Sequence, residues 1–266
     1  MKRRLAIGLF LAWSCLAFVA PSVSAETTET SHFLVVFEPS DASLVTTIID
    51  SLERARETLT VELGVEHNRP LKVRLIPHLA YQGLACYVPD RQTMEVLTKE
   101  GLVRIFSGQP PPAAFIEGVL WHEYVHFLQH QVMKRFIKDR TALWLIEGTA
   151  ESLGTRRFIR PYPPGTVWAR GKTMLSGGHL PTLAELNRYH MTNQYPVPTY
   201  FFSADAVTFL IQTWGMASLQ EITRALGKGE KLPECLKGSL GMDLETFEDA
   251  WHRDLETRYK AHIRNS

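Results

Sequence analysis

Cysteine is scarce in this chain. There are three, and Cys15 falls in an apolar leader-like stretch, which leaves Cys86 and Cys235 for the folded part. A lone pair in an exported protein can close one disulfide or stay as two thiols, and sequence carries no distance that decides between them. A basic excess is lacking too. The 29 Lys and Arg nearly balance 28 Asp and Glu, with no basic run, so nothing points to nucleic acid as a partner. After the first 25 residues no apolar stretch is long enough for a membrane helix. Internal repeats are also missing, as are low-complexity segments in that part of the chain.

What is present begins with a leader. Lys2, Arg3 and Arg4 precede an apolar run from Leu5 to Ala20, and Val23-Ser24-Ala25 offers the small residues that a signal peptidase reads. Residues 1–25 are therefore expected to be a signal peptide, and the protein to be exported, periplasmic or secreted. The other reading of this segment is an uncleaved anchor. A lipoprotein at Cys15 is discounted, because Trp13 stands where a small residue is needed. Without Lys2, Arg3 and Arg4 the remainder carries 26 basic against 28 acidic residues.

The pattern then divides in two. His32 to Phe37 is β-branched and aromatic and reads as a strand. Leu44, Ile48, Leu52, Ala55, Leu59 and Leu63 recur at helical spacing, with Gly64 placed to end the helix. Leu71 to Ile76 alternates with Lys72 and Arg74 as a half-buried strand does, and Thr93 to Thr98 is a weaker strand candidate. One or two further strands are expected. Gly108-Gln109-Pro110-Pro111-Pro112 breaks this unit. A helix is expected from about residue 113 to 136, and a second from about 141 to 158. Residues 160–199 are rich in Pro and Gly and read as loops around one short helix at 183–188. Three helical pieces follow, at 202–214, 219–226 and from Asp243, as N-cap, to about 262. The fold class is α+β: a small N-terminal α/β sheet unit over 26–110, then a mostly helical half over 111–266 that carries the site, together one catalytic domain.

The chemistry lies between residues 121 and 151. His122-Glu123-x-x-His126 sits on the first long helix. Residues four apart share a helix face, so both imidazoles can address one ion. Glu123 stands beside the pair, free to take a proton from water. A catalytic zinc needs a third protein ligand. From His126 the helix runs out roughly 13 Å, and from about residue 141 a second, antiparallel helix returns roughly 9 Å to Glu147. That brings Glu147 to the level of the histidines. Glu151, one turn on, is placed to accept a hydrogen bond from the outer nitrogen of a ligating histidine. His130 would sit a full turn beyond the ion and is read as a packing or surface residue. Trp121, Tyr124, Phe127 and Trp144 are read as core. Gly171-Lys172-Thr173 lacks the earlier glycine of a phosphate loop.

His122-Glu123-x-x-His126, with Trp144-Leu-Ile-Glu147-Gly-Thr-Ala-Glu151 behind it, resembles the gluzincin metallopeptidases, in particular the small bacterial peptidase MA-like family. Leu180-Pro-Thr-Leu-Ala-Glu-Leu186 and Tyr200-Phe-Phe-Ser203 are similar to that family's layout as well, so the resemblance covers most of residues 26–266. It implies a zincin-like fold, one Zn2+ per chain on His122, His126 and Glu147, Glu123 as general base, Glu151 behind the ligands, and a peptide or protein substrate. It further implies an oxyanion donor at Tyr200, with Tyr195, His179 and His190 as competitors. A metzincin would need Gly and His where Gln129 and Val132 stand. The G-x-M-x-N motif of aminopeptidases does not precede His122. The alternative from another class is a non-catalytic zinc-binding envelope scaffold on the same fold.

Overall fold

The computed structural model describes residues 25–80, 83–133, 142–159, 180–191 and 198–264. The leader up to residue 24 lies outside them, as do Gly171-Lys172-Thr173, His179, Tyr195 and most of the 160–199 stretch.

The N-terminal part is a mixed sheet with α-helices beside it, and the rest is mostly helical, as the α+β reading expects. The strands are β1 (Glu26–Glu29), β2 (Phe33–Phe37), β3 (Leu71–Ile76), β4 (Ala85–Val88) and β5 (Thr93–Leu97). They are ordered β1-β2-β3-β5-β4. β2, β3 and β5 run parallel, and β1 and β4 close the two ends antiparallel. The crossover between β2 and β3 is α1 (Ala42–Leu63). It stops where the helical spacing predicts, at Gly64, whose φ of 61° is the left-handed conformation that glycine adopts at low cost.

The register sets one apolar face. Val35 lies opposite Val73, Val73 opposite Met94, and Met94 opposite Tyr87. These residues are buried and share a core with Ile48, Leu52 and Leu59 of α1. β5 is buried at all five positions. A strand covered on both faces does not show alternation, which is why its sequence signal is weak.

The helices that follow are α2 (Lys99–Ile105), α3 (Ala113–Val132), α4 (Leu143–Leu153), α5 (Leu183–Met191), α6 (Pro198–Trp214), α7 (Met216–Gly227), α8 (Leu232–Leu240) and α9 (Leu244–Arg264). The spacing expects neither α2 nor α8. Both are short, seven and nine residues, too short for periodicity to stand out. Asp243 caps α9 as expected, accepting a hydrogen bond from the Thr246 N–H at 2.8 Å. Cys86 on β4 and Cys235 in α8 are not bonded to each other, so no disulfide links the two halves.

α3 ends at Val132, and residues 134–136 of its expected extent lie outside the described residues. α4 ends at Leu153, five residues before its expected end at Phe158. The reason is a close approach. A Cβ on Gly154 would lie 2.5 Å from the backbone nitrogen of His122, and the chain leaves the helix there in a single 3-10 turn, Thr155–Arg157. On the other side of α4, a Cβ on Gly148 would lie 2.3 Å from the carbonyl oxygen of Ser203 in α6. Two glycines thus let α4 lie tightly between α3 and α6.

Candidate metal centre

α3 and α4 are antiparallel at their contact. Gln129 donates its side-chain amide to the carbonyl of Ile146 at 3.0 Å, while at the other end Gly154 abuts His122. The return helix therefore brings Glu147 level with the HExxH pair. His122 Nε2 and His126 Nε2 are 3.1 Å apart, and each is 3.5 Å from Glu147 Oε2. These three residues form a group that could hold a metal ion, and it is the only such group among the described residues. His122 is buried, and the side chains of His126 and Glu147 are 15% and 22% exposed, so the group opens to one side.

The outer nitrogens have polar partners, and that of His126 fixes its tautomer. His126 Nδ1 lies 2.9 Å from Gln129 Oε1. Because the Gln129 amide nitrogen is committed to Ile146, its oxygen is the atom that faces the ring, and Nδ1 must donate. His122 Nδ1 faces Thr155 Oγ1 at 3.2 Å and Glu151 Oε2 at 3.6 Å. Glu151 thus stands behind His122 as the spacing predicts, but Thr155 is the closer partner. In its neutral form with the outer nitrogen protonated, each ring turns an Nε2 lone pair toward Glu147. Such a site favours positive charge. Burial alone would lower the pKa of His122, but the Glu147 and Glu151 carboxylates outweigh it and raise it to about 10. His126 is raised on the same balance, burial against Glu147. Burial would raise Glu147, and the two histidines instead hold it well below the usual carboxylate range. Glu151 is lowered too, burial being outweighed chiefly by His122.

Glu123 is beside this group and not in it. Its Oε2 accepts a hydrogen bond of 2.7 Å from the backbone N–H of Tyr87 on β4. The half-buried Tyr200, near the start of α6, has its ring 6.2 Å from that of His122 and 5.1 Å from that of His190. His190, buried, meets Ser203 Oγ through Nε2 at 2.9 Å, and burial lowers its pKa to about 4. The fold thus gathers His122, Glu123, His126, Glu147, Glu151, Tyr200 and His190 into one neighbourhood. Trp121, Tyr124, Phe127 and Trp144 are at most 5% exposed and belong to the core, as expected. His130 is buried outside the metal group, with its Nδ1 2.7 Å from the Tyr87 hydroxyl.

Sequence reasoning missed Gln129 and Thr155, the partners that orient the two imidazoles. Gln129 had a signal, since a residue three after His126 returns to the same helix face. Thr155 lies beyond α4 and had none. No family model matches this chain, and no curated protein matches it.

Proposed function

We propose that this protein is an exported zinc-dependent hydrolase that cleaves amide bonds in peptides. The observation that carries this reading is the donor triangle. Zinc bonds of about 2.0–2.2 Å in a tetrahedron put donor atoms roughly 3.3–3.6 Å apart. The three donors lie 3.1, 3.5 and 3.5 Å from one another, and two imidazoles with one carboxylate are a donor set that zinc takes in catalytic sites, leaving a fourth position for water or substrate. A zinc ion held by His122, His126 and Glu147 would supply Lewis acidity toward a carbonyl and acidify water.

The chain's own residues would do the rest. Gln129 and Thr155 hold the imidazoles with their Nε2 lone pairs inward. Glu123, outside the ligand set, takes a proton from the attacking water and delivers it to the leaving amine. Tyr200 is the expected donor to the developing oxyanion. A peptide fits the surroundings because β4 ends the sheet beside this site, and among the described residues it pairs with β5 alone, its outer edge being met by Glu123 at the Tyr87 N–H and by no strand. An open strand edge accepts an extended backbone. The resemblance to gluzincin peptidases and the leader at residues 1–25 support the same reading.

The test is a peptide-library digest with the wild type and Glu123→Gln, with zinc measured in both. One zinc per chain in each protein is expected, with turnover in the variant lower by about 10²–10⁴-fold. Full activity in Glu123→Gln would refute the mechanism. A zinc-loaded wild type inert toward peptides would favour the scaffold alternative.

A further inference from the structure

Two polar contacts tie Tyr87 to α3, while its carbonyl accepts from the neighbouring Cys86 thiol at 3.6 Å. The Tyr87 backbone N–H donates to Glu123 Oε2 at 2.7 Å, and its hydroxyl meets His130 Nδ1 at 2.7 Å. Glu123 and His130 are seven residues apart, about two helical turns, and so share one face of α3. Between them Phe127 packs against the Tyr87 ring, with centroids 5.8 Å apart and planes at 73°. Tyr87 and His130 are 5% and 9% exposed. One tyrosine therefore clamps the last strand of the sheet to the helix that bears the HExxH motif.

The phase of the ladder explains why the Tyr87 N–H is available. The N–H of Leu97 donates to the carbonyl of Leu84 at 2.9 Å. Bonded and non-bonded pairs alternate along an antiparallel ladder. Cys86 and Val88 thus turn their backbone groups to β5, as Leu84 does, while Ala85 and Tyr87 turn theirs to the open side. The Glu123 carboxylate takes up the Tyr87 N–H there. β4 has only four residues and, among the described residues, one strand neighbour, so its distance from α3 is not set by the ladder alone. The Tyr87 hydroxyl and His130 supply a second, directional tether.

We propose that Tyr87 and His130 are positioning residues: the phenol–imidazole bond fixes β4 against α3, so that the Tyr87 N–H holds the Glu123 carboxylate in place. This rests on the hydrolase reading for its effect on turnover, but not for the tether itself. Phenylalanine at position 87 would keep the packing on Phe127 and the backbone N–H, and would lose only the tether. A general base held loosely by a fraction of an ångström is a poor one, because proton transfer needs hydrogen-bond reach.

The experiment uses full-length zinc-loaded protein as wild type, Tyr87→Phe, His130→Leu and His130→Asn. The asparagine amide can pair with the phenol in place of Nδ1, as acceptor through its oxygen or donor through its nitrogen. Tyr87→Phe and His130→Leu are expected to lower kcat by about tenfold with KM within about twofold, the scale of one lost orienting hydrogen bond. Zinc should stay at one per chain. His130→Asn is expected to recover most of the loss. In parallel, hydrogen exchange of the Tyr87 amide is measured in zinc-free protein, where the two tether-breaking variants should exchange about tenfold faster and His130→Asn should not. Unchanged kcat in Tyr87→Phe, with the wild type active, would overturn the role in turnover. Unchanged amide exchange would overturn the tether. If the wild type cleaves no peptide, the hydrolase reading fails, and the exchange measurement still decides the tether.

Discussion

The sheet unit and the α3–α4 pair bury different kinds of side chain. Beneath α1, the sheet buries Phe33, Val35, Val73 and Met94, each at 0% exposure. Such residues gain from leaving water and need only shape and register. α3 and α4 bury apolar residues as well, but among them lie His122, Gln129, His130 and Glu151, all at most 9% exposed. Buried polar groups cost free energy unless each is satisfied. Here Gln129 meets His126 and the Ile146 carbonyl, Glu151 stands behind His122, and His130 meets the Tyr87 hydroxyl, so three of the four bear on the donor triangle. Apart from Tyr87 on β4, the sheet is built for stability and the helix pair for a site, so changes beneath α1 and changes at the triangle should separate.

The largest expected effect is at Glu147. Glu147→Gln removes the only carboxylate of the triangle, and zinc per chain should fall from one to a trace after dialysis against a mild chelator. Retention of full zinc would break the comparison. Phe33→Ala is the counterpart in the sheet. It should lower unfolding free energy by about 3–5 kcal/mol in denaturant titration and leave zinc per folded chain unchanged. Gln129→Ala comes next. It leaves the donors in place but frees the His126 ring, and the zinc dissociation constant should rise about 10–100-fold.

A further effect concerns pH, and its sign sets the helix pair apart from the sheet. His122 is raised above its ordinary value of 6.5 to about 10, and His126 is raised too. Stability from such groups is complete below the unfolded value and is lost as pH rises through the folded one. Zinc-free protein should therefore melt at a lower temperature as pH rises from 6.5 toward 10. His190 has the opposite sign, but with its pKa lowered to about 4 it acts only below 6.5. A metal ion held by these histidines would displace those protons, so zinc binding is expected to strengthen over the same window. Melting curves with and without zinc should diverge as pH rises, and parallel curves would contradict this account of the site.

Much of this was legible in the residues. α1 and β3 follow from hydrophobic periodicity, Gly64 from stop chemistry, and Glu147 from helix rise and an antiparallel return. β4 was not legible, because four residues of an end strand carry too little pattern. Thr155 was not, because its place depends on how the chain leaves α4 at Gly154. His130 was read as packing, and its pairing with Tyr87 emerges only when β4 is laid beside α3.

The sequence by itself determined the class of elements and the presence of a two-histidine face with glutamates one helix away. Those features depend on spacing within single helices, which the 3.6-residue turn dictates. Which partners orient the two imidazoles, that Cys86 and Cys235 are not bonded to each other, and that an end-strand N–H holds Glu123 follow only from the tertiary arrangement. Each of these depends on the separation of two elements distant in sequence. That separation is set by close packing, at Gly148 and Gly154 to within the width of a single Cβ.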